Sequence, residues 1–117
     1  GTYLRPGEFV ALRQVGSMVL STSGGTVSYA QTSDSFIFKS SEVFQVAHVK
    51  DGYIALHNFA TNKFLRFTDN CLTLSDATDF KNVADDVAQQ FKVVKLENDG
   101  FALYSPAKKY VAFDFGG

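Results

Sequence analysis

The chain has no tryptophan, a single cysteine, one methionine and two prolines among its 117 residues. A lone Cys71 cannot close an internal disulfide, and no Asn-x-Ser/Thr sequon occurs, so the expected compartment leans toward the reducing cytoplasm. Long apolar runs are missing too. The longest is only a few residues, which excludes a membrane-spanning helix or the apolar core of a secretion signal within these residues. Charge of one sign is not in excess: eleven Lys and Arg against twelve Asp and Glu leave a net charge of −1. With a pI near 6.1, there is no electrostatic basis for binding nucleic acid or an anionic membrane.

What is present is apolar and aromatic. A hydrophobic fraction of 45% excludes disorder, and 117 residues suffice for one domain, residues 1–117, around one core. Twelve Phe and five Tyr favour strands, because aromatic side chains pack well on a pleated surface.

The sequence repeats itself. Phe44-Gln-Val-Ala-His-Val-Lys-Asp-Gly-Tyr-Ile-Ala-Leu56 returns 47 residues later as Phe91-Lys-Val-Val-Lys-Leu-Glu-Asn-Asp-Gly-Phe-Ala-Leu103. Met18-Val19, Phe64-Leu65 and Tyr110-Val111 each follow a short turn at intervals of 46. Each unit opens with an alternating run that turns and comes back, as in Phe9 to Arg13 followed by Met18 to Leu20. Alternation buries one row of side chains and leaves the other to water, so these runs predict hairpins. Third strands are expected at Thr26–Tyr29 and Leu72–Leu74, and fourth strands at Phe44–Val49 and Phe91–Leu96. Asp51-Gly52 and Asp99-Gly100 supply turns between units.

Four strands per unit at a period near 46 predict an all-β fold, the β-trefoil, in which three units close a barrel that no single unit could form. The units are residues 8–51, 52–99 and 100–117, and the third is incomplete: two of its strands are missing. The sequence therefore predicts a fragment, or an oligomer in which a partner chain lends strands, with Thr2-Tyr3-Leu4 as a partial substitute. One segment departs from the β pattern. Phe80, Val83, Val87 and Phe91 recur at spacings of three and four after Thr78 or Asp79, which predicts a short helix or 3₁₀ turn covering Phe80 and Val83.

Catalytic and metal chemistry find little support. His48 and His57 fall at solvent-facing positions of strands, without a Ser or Cys motif beside them. One cysteine and two separate histidines make no ligand cluster. Asp76, Asp79, Asp85 and Asp86 lack the loop spacing and glycine of a calcium site and fit the amino end of a helix. Gly24-Gly25 has no following lysine or helix and fits a hairpin turn rather than a phosphate loop.

Binding is better supported. Asp69 and Asn70 stand together at a hairpin tip, offering the acceptor and donor that vicinal sugar hydroxyls require, although turns favour the same residues. Asn58, Phe59 and Asn62 share the next turn back, where Phe59 either packs inward or meets a ligand. These five residues are the candidate sugar-binding set.

From Asp51 through Thr61-Asn62-Lys63-Phe64-Leu65 to Leu72–Asp76 and Phe91, the chain resembles the amaranthin-like agglutinin domain. The resemblance covers unit two well and the others loosely. It implies a β-trefoil lectin of non-catalytic function, without cofactor, that takes a galactose-type disaccharide at a junction between domains. The sugar-contacting loop of that family corresponds to Asp69-Asn70-Cys71-Leu72, where Cys71 or Leu72 replaces the usual tryptophan. A second resemblance, to fascin-like actin-bundling trefoils, would make Lys63, Arg66, Lys108 and Lys109 the contacts. A third reading is a structural module completed by a partner.

Overall fold

The computed structural model describes residues 4–14, 18–31, 38–68, 71–75, 83, 86–95, 97, 101–106 and 110–116. Among them run ten strands: β1 (Phe9–Gln14), β2 (Met18–Ser21), β3 (Ser28–Gln31), β4 (Phe44–His48), β5 (Ile54–Asn58), β6 (Lys63–Thr68), β7 (Cys71–Leu74), β8 (Lys92–Lys95), β9 (Phe101–Tyr104) and β10 (Tyr110–Gly116). They form one sheet in the order β7-β6-β5-β4-β1-β10-β9-β8, with β2 on β1 and β3 on β2. An antiparallel bridge between Ile54 and Phe91 joins β5 to the start of β8, so the sheet curls into a closed ring.

The alternation seen in the sequence sets which side chains enter that ring. Phe44 and Val46 of β4 are buried, whereas Gln45 and Ala47 between them stay partly exposed. Leu12, Leu56 and Leu103, from the first strand of each unit, meet in a single core with Phe44 and Phe91. All five are fully buried. At about 1.5–3 kcal/mol for each large apolar side chain, such burial is the main term holding the barrel.

The internal repeat is also a repeat of register. Ala47 pairs with Ala55 and His48 with Ile54, and 47 residues on, Val94 pairs with Ala102 and Lys95 with Phe101. Phe44 faces Val10 as Phe91 faces Ile54. A 3₁₀ turn precedes each phenylalanine, at Ser40–Glu42 and Val87–Gln89, and each turn ends on a buried polar residue, Glu42 or Gln89. The Asp51-Gly52 turn is of the predicted kind: both residues have positive φ, 54° and 80°, and the Tyr53 N–H donates to the Lys50 carbonyl at 2.9 Å. Positive φ at both central positions matches the right-handed twist of the strands it joins. Asp99-Gly100 lies outside the described residues.

Closure differs from the expectation. The two strands missing from unit three leave no gap in the ring, because β10 is long enough to fill two places. Its first half, Tyr110 to Phe113, returns along β9. Its second half then pairs with β1, Asp114 with Arg13, Phe115 with Leu12 and Gly116 with Ala11. Strand sharing with a partner is therefore not needed to close the barrel. The chain before β1 contributes as well: Leu4 is buried in the core, and Gly7 donates to the Val46 carbonyl at 2.8 Å.

One further expectation shifts, and another is met in part. Unit one's third strand begins at Ser28 instead of Thr26, because the 3₁₀ turn Ser23–Gly25, with Gly24 and Gly25 both at φ 82°, lengthens the connection from β2. Of the segment expected to form a short helix or 3₁₀ turn, residues 79–82, 84 and 85 lie outside the described residues, and a 3₁₀ turn is found at Val87–Gln89. Val83 is fully buried and packs with Ala55 and Phe64, whereas Val87 is largely exposed.

Candidate functional site

Register places four residues in line on the outer face of the barrel. Phe9 of β1 opposes Gln45 of β4, Gln45 opposes His57 of β5, and His57 opposes Phe64 of β6. Directly paired residues project to the same side of a sheet, so this row presents two phenylalanines and an imidazole together. The turn after β5 folds Phe59 over it. Phe59 stacks on Phe9 with ring centroids 5.4 Å apart and planes 30° from parallel. His57 meets Phe59 edge-on at 5.4 Å and Phe64 at 5.0 Å.

Exposure divides the row. Phe64 is buried against Ala55 and Val83 and anchors the inner end. Phe9 and Phe59 are 53% and 50% exposed, which leaves an apolar aromatic surface in water at the outer end. Large apolar surface grouped in this way marks a contact site more often than a scattered exposed residue does.

A polar group stands beside the aromatics. Asn62 closes the same turn at φ 55°, a left-handed conformation that asparagine tolerates better than most residues. Its Oδ1 lies 2.8 Å from His57 Nε2. With the amide oriented this way His57 donates from Nε2, since an amide oxygen only accepts. Gln45 Nε2 donates to the Gly7 carbonyl at 3.2 Å, which fixes the amide in the middle of the row.

The sequence-derived candidates separate into three groups. Phe59 and Asn62 belong to this face. Phe59 does not pack inward: it stacks on Phe9 on the outer face and stays half exposed. Asn58 does not belong: its side chain is fully buried on the inner face. Asn58 Nδ2 lies within 3.1–3.3 Å of the carbonyls of Ser40, Ser41 and Val43, and Oδ1 accepts from Thr22 Oγ1, Thr61 N and Thr61 Oγ1. With donors and acceptor all engaged and no exposed surface, Asn58 holds two turns together and cannot touch a ligand. Asp69 and Asn70 lie outside the described residues.

Of the remaining polar candidates, Asp86, Arg66 and His48 have partners within the fold. Asp86 accepts from Ala88 N at 3.0 Å, capping the 3₁₀ turn, and pairs with Arg66 at 3.3 Å. Arg66 thus has a partner within the fold, Lys63 opens β6, and Lys108 and Lys109 lie outside the described residues. Asp76, Asp79 and Asp85 do as well. His48 Nε2 lies 3.1 Å from the Leu4 carbonyl, which can only accept, so the ring donates there. No group of three potential metal ligands occurs among the described residues.

Sequence reasoning missed Phe9 and Gln45 and weighed His57 only for catalysis and metal binding. The signal at Phe9 was parity: Val10 and Leu12 point inward, which turns Phe9 out, and an outward phenylalanine in an otherwise regular strand is an anomaly. Gln45 and His57 join Phe9 only through pairing across three strands, which the sequence does not display.

No protein-family model matches the sequence, and no curated protein matches it. Solved structures do. The Haemophilus ducreyi cytolethal distending toxin superposes with a TM-score of 0.72 at 14% identity, covering 98% of this chain and 77% of the other. A BEL β-trefoil gives 0.69 at 14% identity, covering 90% and 74%. The designed threefold-symmetric protein ThreeFoil gives 0.65 at 14%, covering 86% and 74%. Such identities speak to fold alone, and with the strand pairing described above they establish that the chain folds as a β-trefoil.

Proposed function

We propose that this chain is a non-catalytic recognition module for carbohydrate, with Phe9, Gln45, His57, Phe59 and Asn62 as its binding face. The observation that carries this reading is the half-exposed Phe9–Phe59 stack set beside the Asn62 amide. A sugar ring has one face of C–H groups and an edge of hydroxyls. An aromatic surface takes the first by apolar contact, and an amide takes the second by hydrogen bonding. The agglutinin resemblance points to the same ligand class. In this reading the Phe9–Phe59 stack supplies the aromatic surface that a tryptophan supplies in the agglutinin family. No cofactor enters this reading, and His57 contributes a hydrogen bond to an amide rather than a proton to a reacting group.

A glycan array followed by NMR titration tests it. The expected result is a preference for particular terminal sugars, weakened about tenfold or more by Phe59→Ala and by Asn62→Ala. Asn70→Ala, at the hairpin tip, separates the agglutinin-like loop from this face. A flat array, or binding indifferent to both Phe59→Ala and Asn62→Ala, overturns the assignment.

A further inference from the structure

We infer that His57 is the positioning residue of this face: it fixes which way the Asn62 amide points and so makes the site a hydrogen-bond donor toward its ligand. The inference rests on the carbohydrate reading for its consequence but on geometry for its content. Asparagine amides can turn by half a rotation, exchanging an oxygen that accepts for a nitrogen that donates. In an exposed turn, nothing but a neighbour chooses between the two. Here the neighbour is His57 Nε2, 2.8 Å from Asn62 Oδ1.

The imidazole is itself held. Phe59 and Phe64 meet it at 5.4 and 5.0 Å with steep interplanar angles of 82° and 61°. Its backbone is locked between β4 and β6 by the pairs with Gln45 and Phe64. A ring fixed on both sides presents Nε2 along one direction, and in the Nε2–H tautomer inferred here, the proton there is satisfied only by the oxygen of Asn62. The NH2 group is then forced to the opposite side, toward the ligand. The site therefore favours ligand groups that accept, such as ring, carbonyl or hydroxyl oxygens, over groups that can only donate. The opposite amide orientation would invert that preference.

Two substitutions separate the hydrogen bond from the packing. His57→Phe keeps a ring against Phe59 and Phe64 but removes the donor. His57→Gln sacrifices the ring but places a donating nitrogen at nearly the same reach. The expected result is about a fivefold loss of sugar affinity in His57→Phe, as for one lost hydrogen bond, with most of it recovered in His57→Gln. A purely structural role predicts the reverse order, since the packing is lost in His57→Gln.

A second measurement needs no ligand. Long-range ¹⁵N–¹H correlation on the free protein is expected to show His57 as the Nε2–H tautomer. The Asn62 side-chain NH2 protons are expected to shift in His57→Phe at unchanged melting temperature. An Nδ1–H tautomer, or Asn62 amide protons unmoved by His57→Phe, overturns the inference. Should the wild-type chain bind no sugar at all, the carbohydrate reading falls, and these two spectra still decide the role of His57.

Discussion

Thr22 donates its hydroxyl to Oδ1 of Asn58 at 2.9 Å, which ties the end of unit one's hairpin to the first turn of unit two. The same asparagine holds the 3₁₀ turn that precedes Phe44, so one buried side chain joins three separate pieces of chain. Removing it would strand several buried polar groups at once, each worth about 1–3 kcal/mol when left without a partner. Asn58→Ala is expected to cost about 3 kcal/mol and lower the melting temperature by about 10 °C, measured by thermal circular dichroism. Asn58→Asp should cost more, because a carboxylate would face the carbonyls of Ser40, Ser41 and Val43. If Asn58 instead touched ligand, either substitution would reduce sugar binding with little change in melting.

Phe44 and Phe91 stand in equivalent places, each fully buried and each opposite the residue two before a core leucine, Val10 before Leu12 and Ile54 before Leu56. Truncating either to alanine removes the same volume from the same core. Both Phe44→Ala and Phe91→Ala are expected to cost about 3–5 kcal/mol. Urea titration should place the two costs within about 1 kcal/mol of each other. Widely different values would mean that the two phenylalanines occupy unlike surroundings.

Gly52 turns at φ 80°, and a Cβ added there would meet only Lys92 Cε, at an ordinary 3.5 Å. Space is available, so the cost of Gly52→Ala is that of the backbone alone, about 1–2 kcal/mol for a left-handed residue with a Cβ. Urea denaturation measures it. A cost near zero would show that the turn is not of the mirror-image type.

Ring closure through β10 makes a prediction about size and exchange. The chain should be monomeric by light scattering across a concentration series, and the β1 amides paired with Asp114 to Gly116 should be protected from hydrogen exchange. Deleting residues 114–117 should abolish that protection and expose β1 as an unpaired edge, which invites self-association. A full-length dimer with unprotected β1 amides would favour strand sharing instead.

Much of the fold was legible because it is written in periods. The alternation that buries Phe44 and Val46, the Asp51-Gly52 turn and the repeat that pairs Ala47 with Ala55 as Val94 pairs with Ala102 all follow from local order in the sequence. The length of β10 did not follow, since a strand's extent depends on which edges lie open to it, and the open edge of β1 belongs to the far end of the chain. Asn58 was misplaced for a related reason. Asparagine in a turn usually faces water, and only the arrival of Thr22 and of the Ser40–Glu42 turn makes a buried place for it. The candidate face was half legible: Phe59 and Asn62 share a turn, whereas Phe9, Gln45 and His57 come together only once β1, β4 and β5 are side by side.

The doubled role of β10 sets an order on folding. Ala11 waits for Gly116, a partner far along the sequence, so the wall cannot be completed until β10 has been made and delivered. Contacts this remote in sequence slow the search for the native state, toward the millisecond-to-second range of all-β domains. On the ribosome, the first two repeats must hold their hairpins with an unsealed side until synthesis reaches β10.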